Sequence, residues 1–98
     1  MRYIRLVIKS FGDKQTESLF LDAFVPAFQG IARAAKRKLE LVNSAARLDD
    51  LRFPPANRLE RLKGDLRDFY SIRVNDQWRV IFQWHESEAY EVRIVDNH

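Results

Sequence analysis

The sequence predicts an α+β fold in which an N-terminal strand and two helices pack on an antiparallel-rich, twisted sheet. Three observations carry that prediction. Apolar residues alternate along 3–9, two stretches of helical spacing fill most of 13–46, and β-rich runs separated by short polar turns occupy 59–95. Helices gathered ahead of the strands, rather than interleaved with them, favour a helix layer on one face of an antiparallel sheet.

In the first segment Ile4, Leu6 and Ile8 alternate with Tyr3, Arg5, Val7 and Lys9, giving one wholly apolar face and one mixed face. Gly12 and Asp13 break this strand, and Asp13 with Glu17 close by starts a helix whose stripe is Leu19, Phe20, Ala23 and Phe24. Pro26 ends or interrupts it. A second helix is expected over 28–46, where Ile31, Ala35, Leu39, Val42 and Ala46 recur at three- and four-residue steps. Its basic run 34–38, AAKRK, reads first as the solvated outer face, and second as a surface for RNA or an acidic partner. Pro54 and Pro55 make 47–57 a surface connection.

Four strands are expected beyond it, at 59–62, 69–74, 78–84 and 89–95. Asn75-Asp76 and the polar group 85–88 are turns, so the last three strands form a meander. Alternation puts Trp78, Val80, Phe82 and Trp84 on one face of the third strand and Arg79, Ile81, Gln83 and His85 on the other. Arg73 and Arg79 then project to the same side, where a sheet covered by helices on its other face leaves a partly basic concavity.

Ninety-eight residues, 46% of them apolar, suit one domain spanning 1–98. No apolar run approaches the roughly 20 residues of a membrane span, so a soluble cytoplasmic protein is expected. Zero cysteines exclude a disulfide framework, a thiolate metal site and a cysteine nucleophile. The formal charge of +3 favours polyanionic partners only weakly, so the placement of the cations decides.

That placement points to RNA cleavage. Cutting RNA without a metal requires activating a 2′-hydroxyl, stabilising charge on the phosphate and protonating the departing 5′-oxygen. Lys63, Arg73 and Arg79 supply cations, Arg as a fork and Lys as a compact charge, while Asp96 and His98 supply proton acceptors and donors. Arg58, Arg61, Arg67 and Tyr70 are the candidate RNA-contacting residues, Tyr70 as an exposed ring among aromatics that otherwise pack. Each has a plainer reading: Lys63 as a turn lysine beside Gly64, the arginines as partners of nearby carboxylates, His98 as a terminal residue. His85 reads as a surface histidine, and neither a metal nor another cofactor is expected.

Four segments in order, VIKSF, DLRFPPANRLERLKGD, SIRVNDQWRVIFQW and the closing VRIVDNH, resemble RelE-superfamily toxins of the HigB type across nearly the whole chain. The resemblance implies a RelE-like fold and a ribosome-dependent endoribonuclease that cuts translated mRNA in the decoding site of the small subunit. It also implies a cognate HigA-like helix-turn-helix antitoxin, in a toxin–antitoxin hetero-oligomer. By position, Lys63, Arg79, Asp96 and His98 match the family's active-site pattern. Some relatives place a basic residue slightly later in the hairpin, where this chain has Asn75 and Asp76, so Arg73 is either a substitute or a structural residue.

Two departures imply a weak toxin: Glu60 stands where certain relatives have histidine, and Asn97 where tyrosine is usual. Restoring the ring, Asn97→Tyr, is expected to speed cleavage. A chain that ends at His98 sets an α-carboxylate beside the imidazole and favours the protonated ring, so a C-terminal tag is expected to depress activity more than an N-terminal one. Competing readings are a ParE-like inhibitor of DNA gyrase and a noncatalytic module that binds RNA or protein.

Overall fold

Strand pairing follows the polar turns. In the computed structural model, which describes residues 6–97, strands β2 (Phe69–Arg73), β3 (Trp78–His85) and β4 (Glu88–Asp96) form an antiparallel meander. The two-residue strand β1 (Glu60–Arg61) pairs with β2, so the sheet order is β1-β2-β3-β4. β1 is shorter than the expected 59–62, although Leu62 still donates its amide to Phe69 O at 2.9 Å.

Of the expected first strand, 3–5 lie outside the described residues. The remainder runs parallel to β4 through bridges from Ile8 to Ala89 and Phe11 to Val92. Asn43 holds it against the helix layer, its Oδ1 accepting the amides of Val7 at 2.9 Å and Ile8 at 3.0 Å.

Helix α1 (Lys14–Phe20) is capped by Asp13, whose carboxylate accepts the Thr16 amide at 2.7 Å. It ends earlier than its apolar stripe suggests. Asp22 takes a left-handed conformation, and Lys36 donates to the terminal Phe20 carbonyl at 2.5 Å and pairs with the Asp22 carboxylate at 2.7 Å. Ala23 and Phe24 therefore leave the helix, and Phe24 is 75% exposed rather than part of the core.

Helix α2 (Ala32–Ser44) is likewise shorter than the expected 28–46. Residues Pro26–Phe28 form a 3₁₀ turn, and Gly30, at φ 92°, reverses the chain before the helix starts. Ala35, Leu39 and Val42 are fully buried and pack with Ile72, Val80, Phe82 and Val92, so the helices cover one sheet face only. Thr16 ties α1 to the sheet, its buried Oγ1 accepting the Ile94 amide at 3.0 Å.

The connection over 47–57 is pinned rather than loose. Its two 3₁₀ turns, Leu48–Arg52 and Pro55–Asn57, bury Leu51 and Asn57. The Asn57 amide donates to Leu51 O and Phe53 O, and its Oδ1 accepts from Lys38 Nζ at 2.6 Å. One buried asparagine thus satisfies carbonyls that the irregular backbone leaves over. Backbone amides of Arg47 and Ala46 donate to Asp50 and hold its carboxyl below the usual range.

One irregularity sets the faces of β4. Ile81 pairs with Arg93 but Gln83 pairs with Tyr90, so β4 carries an extra residue there, at the left-handed Glu91. Ala89 lies on the core side before the bulge; Val92 and Ile94 lie there after it. Without the extra residue, the core parity of Ala89 would carry Glu91, Arg93 and Val95 inward instead.

Candidate active site

The uncovered sheet face is built by register. Arg73 and Arg79 are direct cross-strand partners and share that face, Ser71 stands opposite Ile81, and Arg79 and Ile81 stand opposite Val95 and Arg93. The segment after β1 rises beside them: Gly64, at φ 65°, turns the chain into a 3₁₀ turn over Gly64–Leu66. A cleft of about 360 Å³ results. Arg79, Ile81, Arg93 and Val95 form its floor, Leu62 and Leu66 one wall, and Asp96 and Asn97 its end.

Arg79 is the best-held cation of the cleft. Its Nη1 donates to the buried Ser71 Oγ at 2.5 Å, its Nη2 lies 3.4 Å from Glu60 Oε1, and the side chain is 13% exposed. Ser71 fixes the fork, whereas Glu60 is half in solvent and holds it weakly. An anionic ligand can take the place of the carboxylate without disturbing the hydroxyl.

Like charges opposite each other on a sheet repel, and each of these arginines has its own carboxylate. Arg73 is paired with Asp76, three residues on, which draws its guanidinium to the hairpin turn. It shares the face of Arg79 but does not line the cleft. Lys63 follows the wall residue Leu62 directly and is exposed at the head of the loop. Asp96 accepts from Gln77 Nε2 at 3.1 Å, and the Asn97 amide donates to Gln77 O, which fixes the end of β4 beside the cleft. His98 lies outside the described residues.

The residues read as RNA contacts divide. Arg61 and Tyr70 are cross-strand partners, and Tyr70 stacks on the buried Phe82 at 6.2 Å, so both belong to the helix side of the sheet. Tyr70 is half-buried, with the Arg61 guanidinium 5.9 Å above its ring, rather than an exposed platform. Arg58 and Arg67 are exposed, and the Arg67 carbonyl accepts from Arg61 Nε at 3.0 Å. His85 is exposed beside Glu86.

Arg93 is the cleft residue that sequence reasoning passed over. Its Nε is buried without a hydrogen-bond partner, and its guanidinium lies 5.3 Å from the centre of the Phe69 ring. The alternation V-R-I-V carried a signal for an outward arginine, but the bulge upstream hid the face to which it belongs.

Residues 9–98 match the HigB-like toxin family, described as the RelE-like toxin of the type II toxin-antitoxin system HigB. The chain is 43% identical over 83 residues to Toxin HigB-1 of Vibrio cholerae, covering 81% of this chain and 85% of that protein. It is 34% identical over 95 residues to Endoribonuclease HigB of Proteus vulgaris, covering 94% of this chain and 100% of that one. The solution structure of a conserved hypothetical protein from Helicobacter pylori superposes with a TM-score of 0.52 at 19% identity, covering 94% of each chain; that likeness bears on the fold alone.

Proposed function

This chain belongs to the HigB-like family of RelE-like toxins of type II toxin-antitoxin systems, and we propose that it is a ribosome-dependent endoribonuclease that cuts mRNA during translation. The observation that carries the reading is the cleft, which brings a largely enclosed, hydroxyl-anchored arginine together with Asp96 at the end of β4. The name borne by the Proteus vulgaris relative supports the same reaction class.

In this reading the scissile phosphate displaces Glu60 and takes the Arg79 fork through two non-bridging oxygens, with Lys63 adding charge from the loop. The 2′-hydroxyl attacks the adjacent phosphorus, forming a 2′,3′-cyclic phosphate and breaking the bond to the 5′-oxygen. Asp96 and His98 divide the two proton transfers, one accepting from the 2′-hydroxyl and the other donating to the departing oxygen. Arg79 is fixed before substrate arrives, so charge stabilisation requires little rearrangement, and no metal enters the step.

Two features temper the rate. Glu60 competes with phosphate for Arg79, and Asn97 offers no ring for stacking at the end of the cleft. The toxin acts in the cytoplasm on mRNA held by the small ribosomal subunit, and a HigA-like helix-turn-helix antitoxin holds it in check as a hetero-oligomer.

The test adds purified protein to ribosomes programmed with a defined mRNA and maps the new ends, beside naked mRNA and a His98→Ala variant. Cuts confined to the decoding site, and much slowed in the variant, support the reading. Intact mRNA on the ribosome overturns it, and double-strand breaks in DNA incubated with gyrase would transfer the assignment to gyrase inhibition.

A further inference from the structure

Resting on the reading of the cleft as an RNA site, we propose that Arg93 forms a second phosphate-binding subsite. It holds the backbone phosphate next to the one engaged by Arg79. Arg93 stands opposite Ile81 while Arg79 stands opposite Val95, so the two arginines are diagonal neighbours on adjacent strands. Such positions lie about 7–8 Å apart, too far to converge on one phosphate from fixed stems but suited to successive phosphates of an extended strand.

The state of the two guanidinium groups differs in the way such a division requires. Arg79 has a hydroxyl and a carboxylate. Arg93 has a buried Nε without a partner, and among the described residues no carboxylate pairs with it. That Nε is closed off from solvent, so a ligand phosphate would be met by the outer nitrogens of the same guanidinium at the cleft. The guanidinium carbon lies 5.3 Å from the centre of the Phe69 ring, a cation–π contact that helps to place it. Ile81 and Val95 lie between or beside the two arginines and offer an apolar floor to a sugar or base.

Two local features keep Arg93 there. The β4 bulge turns it to the cleft face. At Gly12 a β-carbon would come within 2.5 Å of Arg93 Cγ and 2.7 Å of Cδ, so glycine alone lets the stem lie along that segment. Gly12 is needed here for close approach and not for an unusual backbone angle.

The probe is a single-stranded 2′-O-methyl RNA trinucleotide with two internal phosphates, which cannot be cut by 2′-hydroxyl attack. Its binding to the full chain is titrated over a salt series, with inorganic phosphate as a one-phosphate control. Removing one phosphate contact from a single strand lowers the slope of log K against log salt by about 0.7. The expected result is that Arg93→Met loses about that slope and about tenfold in trinucleotide affinity. Inorganic phosphate, which the better-held Arg79 fork engages, loses less affinity than the trinucleotide, and Arg93→Lys restores the slope. Unchanged slope and affinity in Arg93→Met overturn the subsite, as does an equal loss in Arg93→Lys accompanied by a lowered melting temperature, which marks a packing role. Two-phosphate binding without cutting on programmed ribosomes would overturn the nuclease reading and leave the subsite standing. Cutting with an unchanged Arg93→Met slope would do the reverse.

Discussion

The two faces of the sheet treat their buried polar groups differently. On the helix side, Thr16 accepts from the Ile94 amide, and Asn57 joins two carbonyls and the Lys38 ammonium around Leu51. On the cleft side, Arg93 Nε is buried without a partner, and Arg79 leans on a solvent-facing carboxylate that a ligand can replace. Satisfied networks fix a fold, whereas cations of a concave site that are paired weakly or not at all keep their charge available to a ligand. The helix layer holds the sheet in shape so that the other face can keep its cations waiting.

The largest separation of the two faces comes from the core. Leu39→Ala removes a fully buried side chain from α2 and is expected to cost about 2–5 kcal/mol of stability, read by denaturant unfolding. Below the unfolding transition, phosphate affinity at the cleft should match the parent; a large affinity change at full folding would show that the faces are not separable.

On the cleft side, Glu60→Gln removes the competing carboxylate from Arg79. Exposed ion pairs contribute about 0.2–1 kcal/mol, so phosphate affinity is expected to rise by a small factor, with mRNA cutting rising alongside it. Titration with inorganic phosphate reads this directly, and weaker binding in the variant would show that Glu60 supports the site instead.

The smallest effect lies in the connection. Asp50 has its carboxyl lowered below 3.8 by amides of Arg47 and Ala46, so its folded form favours the charged state. The stability this gives is fully present above the unfolded value and is lost as pH falls through the folded one. The melting temperature of Asp50→Asn should therefore trail the parent at neutral pH and converge with it in acid below about pH 4. A gap that is constant from neutral to acid pH would remove the charge from the explanation.

Much of this architecture was legible in the residue pattern because helices and strands repeat at different periods. Ala35, Leu39 and Val42 announced the buried stripe of α2, and the alternation of Val80 and Phe82 with Arg79 announced which cation faces out. What was not legible arose from single residues in unusual conformations. Asp22 ended α1 before its apolar stripe ran out, and Gly30 delayed α2.

The extra residue at Glu91 defeats a period-two reading, because pattern alone cannot show that one strand has gained a position on its neighbour. Arg93 takes its face from that residue, so alternation alone does not place it. The face of Arg73 is legible in the alternation and its partner is not; of the two readings, cleft cation or structural ion pair, Asp76 decides where its guanidinium rests. Alternation does not show that the ring of Tyr70 lies on Phe82, its partner across the strands.

The most direct test of the account compares the parent with Arg79→Met on programmed ribosomes, with a thermal melt of each protein beside the cleavage rates. Loss of a fixed charge-stabilising donor is expected to slow cutting by about 10²–10³-fold. The melt should move little, since Arg79 lines the cleft rather than the helix-covered core. Equal cutting rates in the two proteins would contradict the claim that this cleft carries the chemistry.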